Sequence, residues 1–520
     1  MKKLISLILT LIICASVTSC ANENGTDTGN SITAVPVTTE SNIESNISEA
    51  GRVLYVKDNS LFYIPEWTNK PILVAENIGN IKDNYIKLSS DGKTVFYITN
   101  YNTGGFPLYC RDVSVEGSEA IKLADGMSGY SVSDSGELVT FIENGALWQH
   151  DLTKKHKISD NVMQQYPFFA SPDGKTVYYI TYTVEEGCNL HVWKDGKSVK
   201  ISDGAEWISG TSDDFKTVYF SYTLSTDSLN GTVFCKYSES KGVEIIADGI
   251  SYYFVYSSGE AYYSIKNDYS DTEALWYYDK NSSTLIASDV ASIWDNSNTD
   301  SGKPAILYRT GNDTAGNKYY LAYGSVASEI DSFGYKIGNM WFNDSITKLG
   351  FHATADDAVE NGIDAPTCDF YVADIVNGIV QTPTLRESDV NYARLAGEDD
   401  VMSCKNADSS YSSCTIYING NKIGSDIFGS KLDGDLLHSM LVYYTDYDSE
   451  SYKGTLHISD FVGNSEIVAE NVFRHAILPG GGVAYLKDRN ESGECDLYIA
   501  GNSEKLDSGV TWLVYTPKDF

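Results

Sequence analysis

Apolar positions in this chain come in short β-branched and aromatic runs, each bounded by polar turn residues. Thr94–Ile98, Leu138–Ile142, Thr176–Ile180 and Thr217–Phe220 are the clearest cases. Almost no stretch shows the 3.6-residue apolar spacing of an amphipathic helix, so helical solenoids are excluded and strands are predicted throughout. A tight polar turn precedes each run: Ser-Ser-Asp-Gly-Lys from Ser89, Ser-Asp-Ser-Gly-Glu from Ser133, Ser-Pro-Asp-Gly-Lys from Ser171 and Ser-Asp-Asp-Phe-Lys from Ser212. Glycine supplies the positive φ that such a turn needs before a strand.

Aligning these segments places Asp91, Asp134, Asp173 and Asp213 at equivalent positions, about 40 residues apart, which is the period of a propeller blade. In the second copy the four strands fall at Thr94–Thr99, Leu108–Val113, Ala120–Ala124 and Gly129–Ser133. Weaker copies are expected to lead with Glu260–Ile265, Ala305–Arg309, Thr347–His352, Asp400–Cys404, Leu441–Tyr444 and Gly482–Leu486. The total is about eleven units, where one ring normally holds four to eight. The fold class is therefore all-β: four-stranded blades in two tandem propellers, residues 52–297 and 304–520, or alternatively one large ring. The favoured boundary is Asp295 to Pro304, where a tight turn swells into a longer polar segment. The first unit starts at its second strand, Val53–Val56, and the last ends with a spare strand, Val510–Tyr515. That offset is expected from a strand exchange that leaves no sheet edge open.

The Ser-Pro-Asp-Gly-Lys repeats resemble the WD40-like repeats of the TolB-type β-propeller family. The likeness is clear over roughly Ser89 to Phe220 and fades to strand rhythm beyond it. It implies a propeller and binding in the periplasm or at the cell surface. It transfers no catalytic residue, because the repeat motif is structural.

The N-terminus carries a different signal. Lys2 and Lys3 precede the apolar run Leu4–Ala15, and Val17-Thr-Ser-Cys20 resembles the lipobox of bacterial lipoproteins. Residues 1–19 are read as a signal peptide and Cys20 as the lipidated residue. The run is shorter than the roughly 20 residues of a membrane span. From Ala21 to Ala50 the chain is Ser, Thr, Asn, Gly and Glu with almost no aliphatic pattern. Residues 20–51 are therefore expected to be a flexible tether. The protein would sit outside the cytoplasm, held to a bacterial membrane.

Charge narrows the partners. With 71 acidic against 38 basic residues the formal net charge is −33, which repels nucleic acid and anionic lipid. Of nine cysteines, Cys14 leaves with the signal and Cys20 takes lipid, so an odd number remains. Cys404 and Cys414 lie at the base of one predicted hairpin and form the candidate disulfide.

Candidate chemistry gathers in the connections between second and third strands, which are long: Asn100–Pro107, Thr181–Cys188, Tyr222–Thr232, Ala353–Cys368 and Thr445–Gly454 among others. Alternate connections share a face, and long loops on a rigid scaffold are where recognition concentrates. The largest holds Asp356, Asp357, Glu360 and Asp364, the candidate binding residues; Asp446, Asp448 and Glu450 lie in another. Clustered carboxylates suit calcium, but neither loop matches an Asp-x-Asp-x-Asp-Gly framework, so a solvated acidic loop is expected and no metal site is assigned. Tyrosine pairs such as Tyr178-Tyr179, Tyr262-Tyr263 and Tyr443-Tyr444 should pack one ring between blades and turn the other outward.

No Gly-x-Ser-x-Gly elbow, His-Glu-x-x-His or phosphate loop occurs, and the seven histidines are scattered. The sequence thus favours a lipid-anchored binding protein whose partner is an envelope protein or a surface glycan. The alternative is a carbohydrate- or peptide-processing enzyme with a carboxylate-based site at the propeller channel mouth.

Overall fold

A computed structural model describes residues 52–514, apart from 66–69, 80–84, 101–104, 164–167, 224–231, 267–271, 295–303, 313–315, 331–335, 344, 355–366, 408–412, 429–431, 436–437 and 479. All described residues fall in one compact unit. The architecture is all-β, built of antiparallel sheets and β-propeller-like, with no helix of the kind that crosses a membrane among the described residues.

Strands recur in runs of four. One run is Phe169–Ala170, Thr176–Thr183, Gly187–Lys194 and Lys197–Asp203; another is Tyr392–Ala396, Asp400–Lys405, Ser413–Ile418 and Asn421–Phe428. Elsewhere one long strand ends one run and begins the next. Ile121–Val132, Gly242–Val255, Ser283–Trp294, Ser465–Ile477 and Asp507–Val514 all do this. Each turns about a single residue that pairs on both sides: Met127, Ile250, Val290, Val472 and Val510. All five are buried and apolar, so the pivot is held by the core on either side of it.

The expected strand exchange is present. Val53–Lys57 pairs antiparallel with the C-terminal strand, Leu54 opposite Val514 and Val56 opposite Trp512. The chain's last strand therefore supplies the first strand of its first run.

Apolar clusters fill each junction between successive runs. Phe96, Leu108 and Met127 meet Val139 and Phe141 at one; Tyr256, Tyr262 and Leu275 meet Ile306 and Tyr308 at another. A further cluster joins Ala476, Leu486 and Leu497 of the last run to Val53, Tyr55 and Ile64 of the first. Most of the expected domain boundary, residues 295–303, lies outside the described residues. The strands on either side of it, Ser283–Trp294 and Ala305–Asn312, pair with each other, Ile293 opposite Tyr308.

One expectation about the tyrosines is corrected. Tyr178 and Tyr179 are both buried, as are Tyr262 with Tyr263 and Tyr443 with Tyr444. A sheet packed between two neighbouring sheets buries both its faces, so alternate residues each meet a core. Buried tyrosine hydroxyls bridge sheets: Tyr63 donates to Gly92 O at 3.1 Å, Tyr178 to Phe215 O at 3.0 Å and Tyr219 to Gly259 O at 2.6 Å. Such bonds satisfy buried carbonyls at the turn of the following run.

Candidate functional site

The repeat motif proves to be a self-contained turn. Ser89 Oγ donates to Asp91 Oδ1 at 2.7 Å and accepts from Thr94 N at 2.9 Å, while Asp91 Oδ1 accepts from Lys93 N at 3.0 Å. The same set forms at Ser171, Asp173, Lys175 and Thr176, and at Ser212, Asp214, Lys216 and Thr217. Hydrogen bonds from Lys93 N and Ser89 hold Asp91 down at about 2, and bonds from Lys216 and Ser212 hold Asp214 at about 2. These carboxylates are occupied in the turn.

The geometry also corrects the repeat alignment. The residues equivalent to Asp91 and Asp173 are Ser135 and Asp214, not Asp134 and Asp213. Asp134 and Asp213 instead occupy the preceding position and link neighbouring turns: Ser90 N and Oγ donate to Asp134 O, Asp134 N to Pro172 O, and Asp213 N to Ser257 O. A further copy, hidden in the sequence, spans Asn343 to Lys348. There Asn343 Oδ1 replaces the serine hydroxyl as acceptor of Lys348 N at 2.8 Å, and Ile346 stands at φ 54° where glycine is usual.

Successive antiparallel strands put these turns at one end of every run. Connections between second and third strands, and those leading into each first strand, lie at the other. Asp356, Asp357, Glu360 and Asp364 lie outside the described residues. In the Thr445–Gly454 connection Asp448 accepts from Glu450 N at 2.9 Å and Ser451 Oγ at 2.6 Å, so its carboxylate closes the loop on itself. Among the described residues no group of three or more His, Cys, Asp or Glu side chains is arranged to hold a metal ion.

The same face gathers exposed aromatic rings on first strands. Trp207 opens the strand Trp207–Thr211 and is 43% exposed; Tyr392 opens Tyr392–Ala396 and is 38% exposed. Tyr252 and Trp512 each follow their pivot by two residues and are 46% and 38% exposed. Arg474 lies over Trp512 at 3.4 Å from the ring centroid, and Trp341 and His352 meet Tyr392 edge-on at 5.7 and 5.6 Å. His352 Nε2 accepts from Ala393 N at 2.9 Å, and burial lowers its pKa, so the neutral ring braces Tyr392 from below. Glu206, next to Trp207, is exposed and accepts from Thr223 Oγ1 at 2.8 Å; Asp389, three residues before Tyr392, is exposed as well. Nothing in the sequence separates these rings from the buried tyrosines, because exposure depends on where the first strand stands in its sheet.

Two features lie elsewhere. On the turn face a cavity of about 480 Å³ is lined by Lys216, Lys236, Lys241 and Lys280 together with Asp213 and Asp214. His438 Nδ1 meets Asp435 Oδ2 at 2.7 Å beside a cavity of about 60 Å³ that Gly481 and Ser459 also line. Cys404 and Cys414 are unbridged on neighbouring strands, with Cys404 directly opposite Ile416 rather than Cys414. The two thiols are nonetheless in contact, and the hydrogen bond from Cys414 holds Cys404 below the usual thiol range.

No protein-family model matches the chain, and no curated protein is similar to it in sequence. Solved structures similar to it include a eukaryotic initiation factor, 14% identical, covering 74% of this chain and 96% of that one with a TM-score of 0.39. Another is Porphyromonas gingivalis dipeptidyl peptidase 4, 11% identical, covering 73% of this chain and 67% of that one with a TM-score of 0.35.

Proposed function

We propose that this chain is a lipid-anchored, extracytoplasmic β-propeller that binds an envelope protein or surface glycan through its long-connection face. Its blades number eleven and stand in one closed ring rather than two tandem ones. Support for the single ring comes from the pairing of Val53–Lys57 with the C-terminal strand and from the cluster that joins the last run to the first. The pairing of Ser283–Trp294 with Ala305–Asn312 argues in the same direction, since two separate rings would part there.

The observation that carries the binding role is the set of half-exposed aromatics Trp207, Tyr252, Tyr392 and Trp512 on first strands at the long-connection end. The turn face, by contrast, spends its carboxylates and hydroxyls on its own backbone. Mechanistically the ring displays: sheets fix the bases of the loops, loops and first strands make contact, and lipid on Cys20 confines the module to a membrane surface. Photo-crosslinking groups placed at Asp448 and Glu450 on intact cells test this reading. Capture of a discrete envelope component is expected, and absence of any capture above that from a turn-face position such as Lys175 contradicts it. Fatty-acid labelling abolished by Cys20→Ala checks the anchor.

A further inference from the structure

We infer that the lysine-lined cavity on the turn face binds a small phosphate-bearing ligand, a function separate from the face proposed above. The cavity lies between two neighbouring runs. One contributes the turns that follow Trp207–Thr211 and Thr232–Ser238, the other those that follow Gly242–Val255 and Glu273–Tyr278. Three hydrogen bonds between lining residues fix the two runs to each other. Asp213 N donates to Ser257 O at 2.9 Å, Tyr219 Oη to Gly259 O at 2.6 Å and Lys236 Nζ to Lys280 O at 2.7 Å. The walls are thus pinned from both sides. The cavity's volume of about 480 Å³ falls within the roughly 300–1,000 Å³ of small-molecule sites.

Its chemistry is polar and locally basic. Apart from Tyr219 and Gly259, every lining residue is charged or carries a hydroxyl, so an apolar ligand finds no partner there. The charges run against the chain as a whole. Acidic residues outnumber basic ones 71 to 38 overall, whereas here four lysines stand with two aspartates. Asp214 is spent on its own turn and on Lys216 Nζ at 3.0 Å. Lys236 is buried and pairs with Glu244 at 3.2 Å. Lys241 and Lys280 are exposed and have no carboxylate partner among the described residues. Two free ammonium groups at one cavity attract an anion, and lysine holds phosphate oxygens as a point charge. The hydroxyls of Ser238, Ser240 and Ser257, unlike those of the tight-turn serines Ser89, Ser171 and Ser212, have no hydrogen-bond partner among the described residues. That leaves them to donate to the same oxygens. Asp213, the remaining carboxylate, disfavours a bare polyanion and suits a ligand that also presents hydroxyls. A sugar phosphate or polyol phosphate meets both conditions.

Isothermal titration of the full-length protein in non-ionic detergent micelles tests this, with glucose 6-phosphate as the probe and glucose as its uncharged counterpart. Glucose 6-phosphate should bind and glucose should not. The double variant Lys241→Gln, Lys280→Gln should weaken binding about tenfold or more. Lys175→Gln, at the turn position that Lys216 holds in the next run, should leave it unchanged. The side chains of Lys241 and Lys280 lie in water, so the double variant should keep the parent's unfolding temperature, and that is measured alongside. In the parent the affinity should fall as salt is added, because exposed charges are screened. No binding of glucose 6-phosphate, equal binding of glucose, indifference to salt, or binding that survives the double variant overturns the inference.

Discussion

The hydroxyl of Tyr55 donates to Asp507 Oδ2 at 2.6 Å, joining residues 452 positions apart in the chain. Lys57 Nζ takes the other carboxylate oxygen at 2.6 Å, and both side chains of that ion pair are largely buried. The contact lies where the strand Val53–Lys57 pairs with the strand Asp507–Val514, so side-chain chemistry reinforces that backbone pairing. Burial raises the pKa of the Asp507 carboxyl, but Lys57, Tyr55 and Ser508 N together outweigh it and leave the value below normal.

Removing that carboxylate should weaken the pairing of the two strands. Asp507→Ala is expected to cost about 2 kcal/mol, the range for hydrogen bonds to a charged group, while Asp496→Ala, paired at the surface with Lys505, should cost well under 1 kcal/mol. Urea denaturation of the two variants measures the difference. Equal costs would mean that the closing strand is not held at this point.

The tight turns make a second prediction, about contacts between runs. Gly136 and Gly174 have φ of +74° and +72°, and a Cβ at either would lie 2.9 Å from a side chain of the preceding run, Ser89 or Leu138. Gly117 has a similar φ of +76° with open space around it. Alanine at Gly117 should cost about 1 kcal/mol for the left-handed backbone alone. Alanine at Gly136 or Gly174 should cost clearly more, because a neighbour must also move. Thermal unfolding of the three variants compares them directly.

Much of this architecture was legible because the local code is strong. A β-branched and aromatic run after Asp-Gly marks a turn and strand wherever it occurs, and the offset of Val53–Val56 against the closing strand announced the exchange. The phase was misread where two candidates stand side by side, Asp134 with Ser135 and Asp213 with Asp214, since only hydrogen bonding tells them apart. The turn at Asn343 escaped notice because asparagine replaces serine and Ile346 replaces glycine. The exposure of single aromatics was illegible for a different reason. Tyr252 is exposed and Tyr262 buried although both sit in similar aromatic runs, and position in the sheet alone separates them.

Acid should act in two stages. Burial lowers the pKa of His150, His191, His352 and His457, so their folded forms resist a proton that the unfolded chain accepts. Their stabilisation is complete above the unfolded value of about 6.5 and is lost as pH falls from there toward the lower folded values. The turn aspartates follow. Asp91 and Asp214 titrate at about 2 in the fold, so their contribution holds above about 4 and disappears between about 4 and about 2. Melting temperature measured from pH 8 to pH 2 should fall in both windows. His352→Gln should reduce the first drop without moving the second.

The thiol pair predicts selective oxidation. Cys110, Cys235 and Cys495 are buried, and burial raises their pKa, whereas Cys404 touches Cys414 and titrates low. A mild disulfide oxidant should link Cys404 to Cys414 first, read by peptide mass mapping, and leave the three buried thiols reduced. Linkage through Cys110 or Cys235 ahead of this pair would contradict the assignment.

Direct imaging tests the central claim most sharply. Electron-microscopic class averages viewed along the ring axis should show a single closed annulus with eleven spokes. Two smaller rings side by side, or an annulus with a gap between the first and last spokes, would contradict the account.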